Sequence, residues 1–205
     1  PEKGFSTQIG NADLLSEITS LTVVSNFRNR DIAAKGQGAP LVPAFHKDIF
    51  YSKTKNRVIL NIGGISNITY LPSDGTIIGF DCGPGNILMD HWIKVNHDLN
   101  FDKNGKWAKK GQVIEDLLKY FLNDNFFKKK PPKSTGRDLF NLDWIKKNIK
   151  KSYSPEDIQR TLLELTAISI AKAIKKYCSK ANEIYVCGGG AKNIFLIETL
   201  KNKTN

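Results

Sequence analysis

The 205-residue chain is 40% hydrophobic and 10% aromatic, enough to bury an ordinary core and too apolar for a disordered chain. It contains no run of about 18 apolar residues and no charged start leading into an apolar stretch and cleavage site, so neither a spanning helix nor a signal peptide is expected. Its formal net charge of +11 is spread over lysines such as Lys128 to Lys130, Lys146, Lys147, Lys172, Lys175 and Lys176, which reads as a solvated surface and argues against a nucleic-acid partner.

Residues 1 to 50 offer short elements: a helix over Ala12 to Ile18, a strand around Leu21 to Ser25, and a turn rich in Arg, Gly and Pro from Phe27 to Pro43. From Arg57 the pattern changes. Val58, Ile59, Leu60 and Ile62 form an apolar strand, and Ile65 to Leu71 and Thr76 to Phe80 supply two more. The breaks at Gly63-Gly64 and Ser73-Asp74-Gly75 are short and glycine-bearing, which predicts an antiparallel meander. Helices are predicted over Asn86 to His97 and Val113 to Leu122. The clearest helix spans Pro155 to Tyr177, where Ser154 is an N-cap and Pro155 suits the first helical position. Its apolar residues exceed one stripe, so it is expected to be largely buried. Glu183 to Cys187 then reads as a strand, and Asn193 to Leu200 as a helix. A meander followed by alternating helices and a strand points to an α/β chain with a mixed sheet.

Three glycine-bearing turns follow predicted strands: Asn61 to Asn67 with Gly63 and Gly64, Asp81 to Asn86 with Gly83 and Gly85, and Cys187 to Asn193 with Gly188, Gly189 and Gly190. Glycine permits positive φ and lets a ligand approach backbone amides that a Cβ would screen, and a helix start favours anions. Phosphates are the natural occupants, although the spacing fits neither the P-loop nor the dinucleotide fingerprint. Cys82, Cys178 and Cys187 share no close pair spacing, so neither disulfides nor a thiolate zinc site is expected, and a cytoplasmic setting fits. His46, His91 and His97 form no metal-like set, and the three tryptophans read as core or interface.

The segments Thr7 to Gly10, Phe27 to Ala34, Gly36 to His46, Asn61 to Asn67, Phe80 to Asn86, Pro132 to Arg137 and Val186 to Asn193 resemble, in order, the motifs of the anhydro-N-acetylmuramic acid kinases. The resemblance implies an actin/hexokinase-like ATPase fold with ribonuclease H-like domains, a mixed sheet flanked by helices, and ATP in a cleft between two domains. Residues 1–50 would be the end of an incomplete first, sugar-binding domain, and residues 51–205 the nucleotide-binding domain, truncated at its C-terminus. The family's first phosphate loop has no counterpart here, which leaves an inactive remnant or separately encoded fragment as the alternative to an active enzyme.

The reaction so implied converts 1,6-anhydro-N-acetylmuramic acid, with water opening the anhydro ring, to the 6-phosphate in cytoplasmic peptidoglycan recycling, using ATP and Mg2+ in a homodimer. In the family pattern Asp31 is the catalytic base. Without that pattern it would read as a helix N-cap or a partner for Arg28 or Arg30. The two arginines are candidate sugar ligands or structural ion-pair partners. Asn61, Gly63, Gly64, Asn67, Asp81, Gly83, Gly85, Asn86, Gly188, Gly189, Gly190 and Asn193 are the nucleotide-side candidates. Asp81 either orients a Mg2+-bound water or caps a turn. Lys133 to Arg137 reads as a well-capped loop with the chemistry to bind an anion.

Overall fold

A computed structural model describes residues 4–204 of the chain. A four-stranded mixed sheet forms its centre, in the order β3-β2-β1-β4. The strands are β1 (Arg57–Ile62), β2 (Ile65–Leu71), β3 (Ile78–Pro84) and β4 (Glu183–Cys187). The first three make the expected antiparallel meander, while β4 returns parallel to β1.

The helices are α1 (Ala12–Thr19), α2 (Phe27–Ala33), α3 (Pro43–Phe50), α4 (Ile87–His97), α5 (Glu115–Leu122), α6 (Asn125–Lys128), α7 (Leu142–Lys146), α8 (Pro155–Tyr177) and α9 (Ile194–Thr204). The long crossover from β3 to β4 contains α4 to α8. Val58, Leu60 and Ile62 alternate onto one sheet face and are fully buried, together with Ile68 and Phe80. Against them lies α8, whose Ile158, Leu162, Leu165 and Ile170 are buried, with α4, α5 and α9 around it. Each such side chain contributes about 2 kcal/mol by leaving water. The start of α8 is fixed as the sequence suggests, with Ser154 Oγ accepting from the Asp157 amide at 3.2 Å.

The other face is partly covered by α3, where His46 Nδ1 lies 2.9 Å from Thr69 Oγ1. Phe50 reaches Tyr185, with ring centroids 5.8 Å apart. Part of the first fifty residues is therefore layered on the sheet. By contrast α1 buries none of its side chains, and Leu14, Leu15 and Ile18 are exposed.

Three expectations need correction. Residues 21–25 form no strand, and their side chains are mostly exposed with no ladder to join. The segment from Phe27 is helical rather than a continuous turn, since α2 and α3 flank a loop only from Ala34 to Val42. Finally, β3 begins later than Thr76 and runs on through Gly83 to Pro84. It occupies the sheet edge, so Pro84 at its end removes no interior ladder bond.

Candidate active site

Because β2 runs antiparallel to both neighbours and β4 parallel to β1, the strands β1, β3 and β4 all end at the same side of the sheet. The three glycine-bearing turns follow those ends. Topology alone thus gathers Gly63-Gly64, Pro84 to Asn86, and Gly188 to Gly190 into one neighbourhood.

The middle turn is locked onto the first. The Gly85 amide donates to the Gly64 carbonyl at 2.8 Å, the Asn86 amide to the Gly63 carbonyl at 2.8 Å, and the Ile87 amide to the Gly64 carbonyl at 3.1 Å. Asn86 Nδ2 adds a bond to the Ile62 carbonyl at 3.2 Å. From the helical side Thr166 Oγ1 donates to the Gly85 carbonyl at 2.9 Å, and Ser66 Oγ to the Gly83 carbonyl at 3.1 Å. The expectation that the start of α4 offers its amides to an anion is corrected here: the Gly85, Asn86 and Ile87 amides are spent on carbonyls of the first turn.

Glycines in the three turns are of two kinds. A Cβ on Gly85 would collide with the Gly63 carbonyl, and Gly188, at φ +83°, would drive one to 2.7 Å from the Ile62 carbonyl oxygen. Internal packing demands both. At Gly63, Gly64 and Gly189 a Cβ would come no closer than 3.5, 3.8 and 3.7 Å to any neighbour, which is ordinary contact, and none has positive φ. The Gly63 and Gly64 amides carry no hydrogen bond among the described residues. An unspent amide with open space above it is what an anion needs.

A polar row crosses the sheet on the face opposite the core, since the registers place Cys187 beside Asn61, Asn61 beside Asn67, and Asn67 beside Asp81. Asn61 Oδ1 meets the Cys187 Sγ at 3.8 Å. Asp81 is only 5% exposed, and its Oδ2 accepts from the Thr135 amide at 2.9 Å and from Ser134 Oγ at 3.1 Å. Burial pushes its carboxyl up, opposed by those two donors and by the Lys133 cation. Asp81 therefore fastens the Lys133 to Thr135 loop along the outer edge of β3, where the Asp81 amide also donates to the Lys133 carbonyl at 3.0 Å.

On the other side of a cleft stands α2. Asp31 lies inside that helix, which Asn26 precedes, so it is not an N-cap. Its Oδ2 accepts from the Gly38 amide at 2.7 Å, while Arg28 Nη1 donates to the Gly38 carbonyl at 2.7 Å. The two side chains grip one residue, Gly38, through the peptide groups on either side of it. Among the described residues neither Arg28 nor Arg30 forms an ion pair with Asp31. Arg28 and Gly38 line a cleft of about 1060 Å³ whose far wall includes Lys129, Lys130 and Pro132 to Gly136. Arg30 is exposed.

The structure thus joins Asn61, Gly63, Gly64, Gly85, Asn86 and Gly188 to Gly190 at the strand ends, with Asn67 and Asp81 in the polar row. It directs Gly83 toward Phe127 and Ser169 on the helical side, and it uses Asn193 Oδ1 to accept from the Leu196 amide at 3.1 Å at the start of α9. Sequence reasoning missed Ser66 and Thr166, polar residues in buried stretches.

The family model described as anhydro-N-acetylmuramic acid kinase matches residues 1–205. The anhydro-N-acetylmuramic acid kinase of Pseudomonas fluorescens (strain Pf0-1) is 50% identical over 202 residues, covering 98% of this chain and 56% of the relative. That of Nitrosomonas europaea (strain ATCC 19718 / CIP 103999 / KCTC 2705 / NBRC 14298) is 49% identical over 203 residues, covering 99% and 56%. The chain spans about half the length of the curated relatives it matches. Among solved structures, the activator of the 2-hydroxyisocaproyl-CoA dehydratase from Clostridium difficile with bound ADPNP aligns at a TM-score of 0.45 and 15% identity, over 73% of this chain and 51% of that one. No helix among the described residues is long and apolar enough to cross a membrane.

Proposed function

Because the chain belongs to the anhydro-N-acetylmuramic acid kinase family, we propose that it supplies the ATP side and part of the sugar side of a kinase acting on 1,6-anhydro-N-acetylmuramic acid. The product is N-acetylmuramic acid 6-phosphate, and the setting is cytoplasmic peptidoglycan recycling, with a homodimer as the working form. The architecture is the actin/hexokinase-like one, with residues 51–205 as the nucleotide-binding domain and the α2 region as part of the sugar side. The observation that carries the nucleotide assignment is the pair of turns at Gly63-Gly64 and Gly188 to Gly190. They lie side by side, and among the described residues the amides of the first are unspent, with open space above its glycines.

Phosphoryl transfer asks a protein mainly for positioning and charge neutralisation. In this reading the first turn holds the β- and γ-phosphates, the Gly188 to Gly190 turn faces the adenosine end, and Asn86 braces both from behind. Among the described residues no three His, Cys, Asp or Glu side chains converge as a metal cluster. A Mg2+ carried on the triphosphate with its own waters is compatible with that, since it needs few protein carboxylates, and Asp81 is the carboxylate in the polar row beside the turns. When bound, the ion neutralises phosphate charge.

Across the cleft Asp31 takes a proton from the water that attacks the anomeric carbon. The bond from that carbon to the bridging oxygen breaks, and the freed oxygen on carbon 6 attacks the γ-phosphorus, releasing ADP. The Gly38 amide, donating to Asp31 Oδ2 at 2.7 Å, fixes the carboxylate while its other oxygen remains for the water. Replacement of Asp31 by Asn in the complete protein removes the base without its volume. ATP binding by calorimetry should persist while turnover falls by roughly 10³-fold. Turnover near the parent rate would remove Asp31 from this role.

A further inference from the structure

The cleft beside α2 is more than the space between two walls. Arg28 borders one side, and Lys129, Lys130 and Lys133 the other, against a single lining carboxylate, Asp138. None of the four cations forms an ion pair among the described residues. Lys133 is the most constrained of them. It is 7% exposed, its ammonium donates to the Phe126 carbonyl at 3.2 Å, and it sits 4.3 Å above the Phe126 ring. An ammonium has three N–H donors, and burying one with a lone carbonyl acceptor and no carboxylate at ion-pair distance is costly, even with the Asp81 charge nearby. Burial accordingly lowers its pKa. Close by, Thr135 Oγ1 is shielded from water and has no hydrogen-bond partner. A loop that holds a buried cation and an unspent hydroxyl, and is itself pinned by Asp81, is costly unless something outside the chain completes it.

The geometry points to the Lys133 to Thr135 loop as the carboxylate-recognising wall of the sugar site: Lys133 and Thr135 select the acid side arm of the substrate. This rests on the kinase reading above and adds which group of the sugar is recognised, and by what. A nucleotide phosphate would satisfy the same donors, but position favours the sugar. The loop runs along the outside of β3, whereas the Gly63-Gly64 turn that takes the phosphates in that reading follows β1, two strand positions away or roughly 10 Å. The cleft also opens directly onto Gly38, the residue gripped by Asp31 and Arg28. The anion therefore sits at the sugar end of the site.

The test compares two sugars in the complete protein: the anhydro sugar acid, and the same anhydro amino sugar without its carboxylate-bearing ether arm. For Lys133→Met, the ratio of kcat/KM for the acid over the neutral sugar should fall at least 30-fold, with Lys133→Arg recovering part of it. Thr135→Val should lower the same ratio about 5-fold while raising thermal stability, because it removes an unpartnered buried hydroxyl. A preserved ratio in Lys133→Met and Thr135→Val overturns the proposal. So does a rise in the KM for ATP with the sugar ratio unchanged, which would assign the loop to phosphate. If the parent protein phosphorylated neither sugar, the kinase reading would fall, and calorimetry with the sugar acid alone would decide the cleft. Binding lost in Lys133→Met upholds the wall, and absence of binding to the parent protein sinks it.

Discussion

Two glycine turns a few ångströms apart are glycine for opposite reasons. At Gly85 the chain itself forbids a side chain, because the Gly63 carbonyl occupies the place a Cβ would take and the Gly85, Asn86 and Ile87 amides are consumed in holding the Gly63 and Gly64 carbonyls. At Gly63 and Gly64 nothing among the described residues forbids one, and none of them accepts from either amide. A glycine-rich motif is therefore not by itself a ligand contact. In the proposed reading the locked turn sets the shape, and the open turn meets the ligand.

Substitutions should separate the two. The largest effect belongs to Gly85→Ala, where backbone must move: an unfolding free energy lower by about 3 kcal/mol in denaturant titration, with ATP binding lost along with the fold. A variant as stable as the parent would show that the lock is not real. Gly188→Ala should cost about 2 kcal/mol, part of it from the left-handed backbone. It would place the third turn with the locked class even though the proposed reading sets it beside the nucleotide. Next comes Asn86→Ala, which removes the Nδ2 bond to Ile62 while leaving the backbone bonds intact. A loss of about 1 kcal/mol is expected by thermal unfolding, with ATP affinity down severalfold because both flanking turns lose their brace.

Gly64→Ala sharpens the comparison from the other side. Stability should stay within about 0.5 kcal/mol of the parent, while calorimetry should show ATP binding weakened about 10-fold. An unchanged affinity would put the phosphates elsewhere.

One turn into α4, Asp90 gives a pH-dependent control outside both turns. Burial, with a smaller push from Asp102, raises its carboxyl to about 6. A carboxyl raised in the folded state favours folding fully below its unfolded value and loses that contribution as pH rises through about 6. Stability should thus fall between pH 4 and pH 7 for this group. Asp90→Asn should flatten that fall and stabilise the chain at pH 7 by about 1 kcal/mol, allowing for partial exposure. A pH profile identical to the parent's would show that Asp90 carries no such strain.

What the sequence disclosed follows from how local each signal is. Val58 to Ile62 and the capped start at Ser154-Pro155 declare a strand and a helix within a few residues, and both are where they were expected. The end of β3 was hidden because Gly83-Pro84 is turn punctuation anywhere except at a sheet edge, and edge position depends on the whole topology. The helix α2 was masked by a neighbouring glycine- and proline-rich loop and by Asn26, which makes no side-chain cap. Register was the other obstacle. The row from Asn61 through Asn67 to Asp81 passes a register irregularity at Ser66/Asn67, so its alignment belongs to the folded sheet and not to spacing. The difference between Gly64 and Gly85 is invisible in sequence, where both are glycines just past a strand.

Amide chemical shifts of the chain, recorded with and without a non-hydrolysable ATP analogue and Mg2+, read the two turns at once. The account predicts that the Gly63, Gly64, Gly189 and Gly190 amides move on binding, while those of Gly85 and Asn86 shift little and resist exchange with and without nucleotide. The largest shifts at Gly85 and Asn86, or a Gly63-Gly64 turn indifferent to nucleotide, would contradict it.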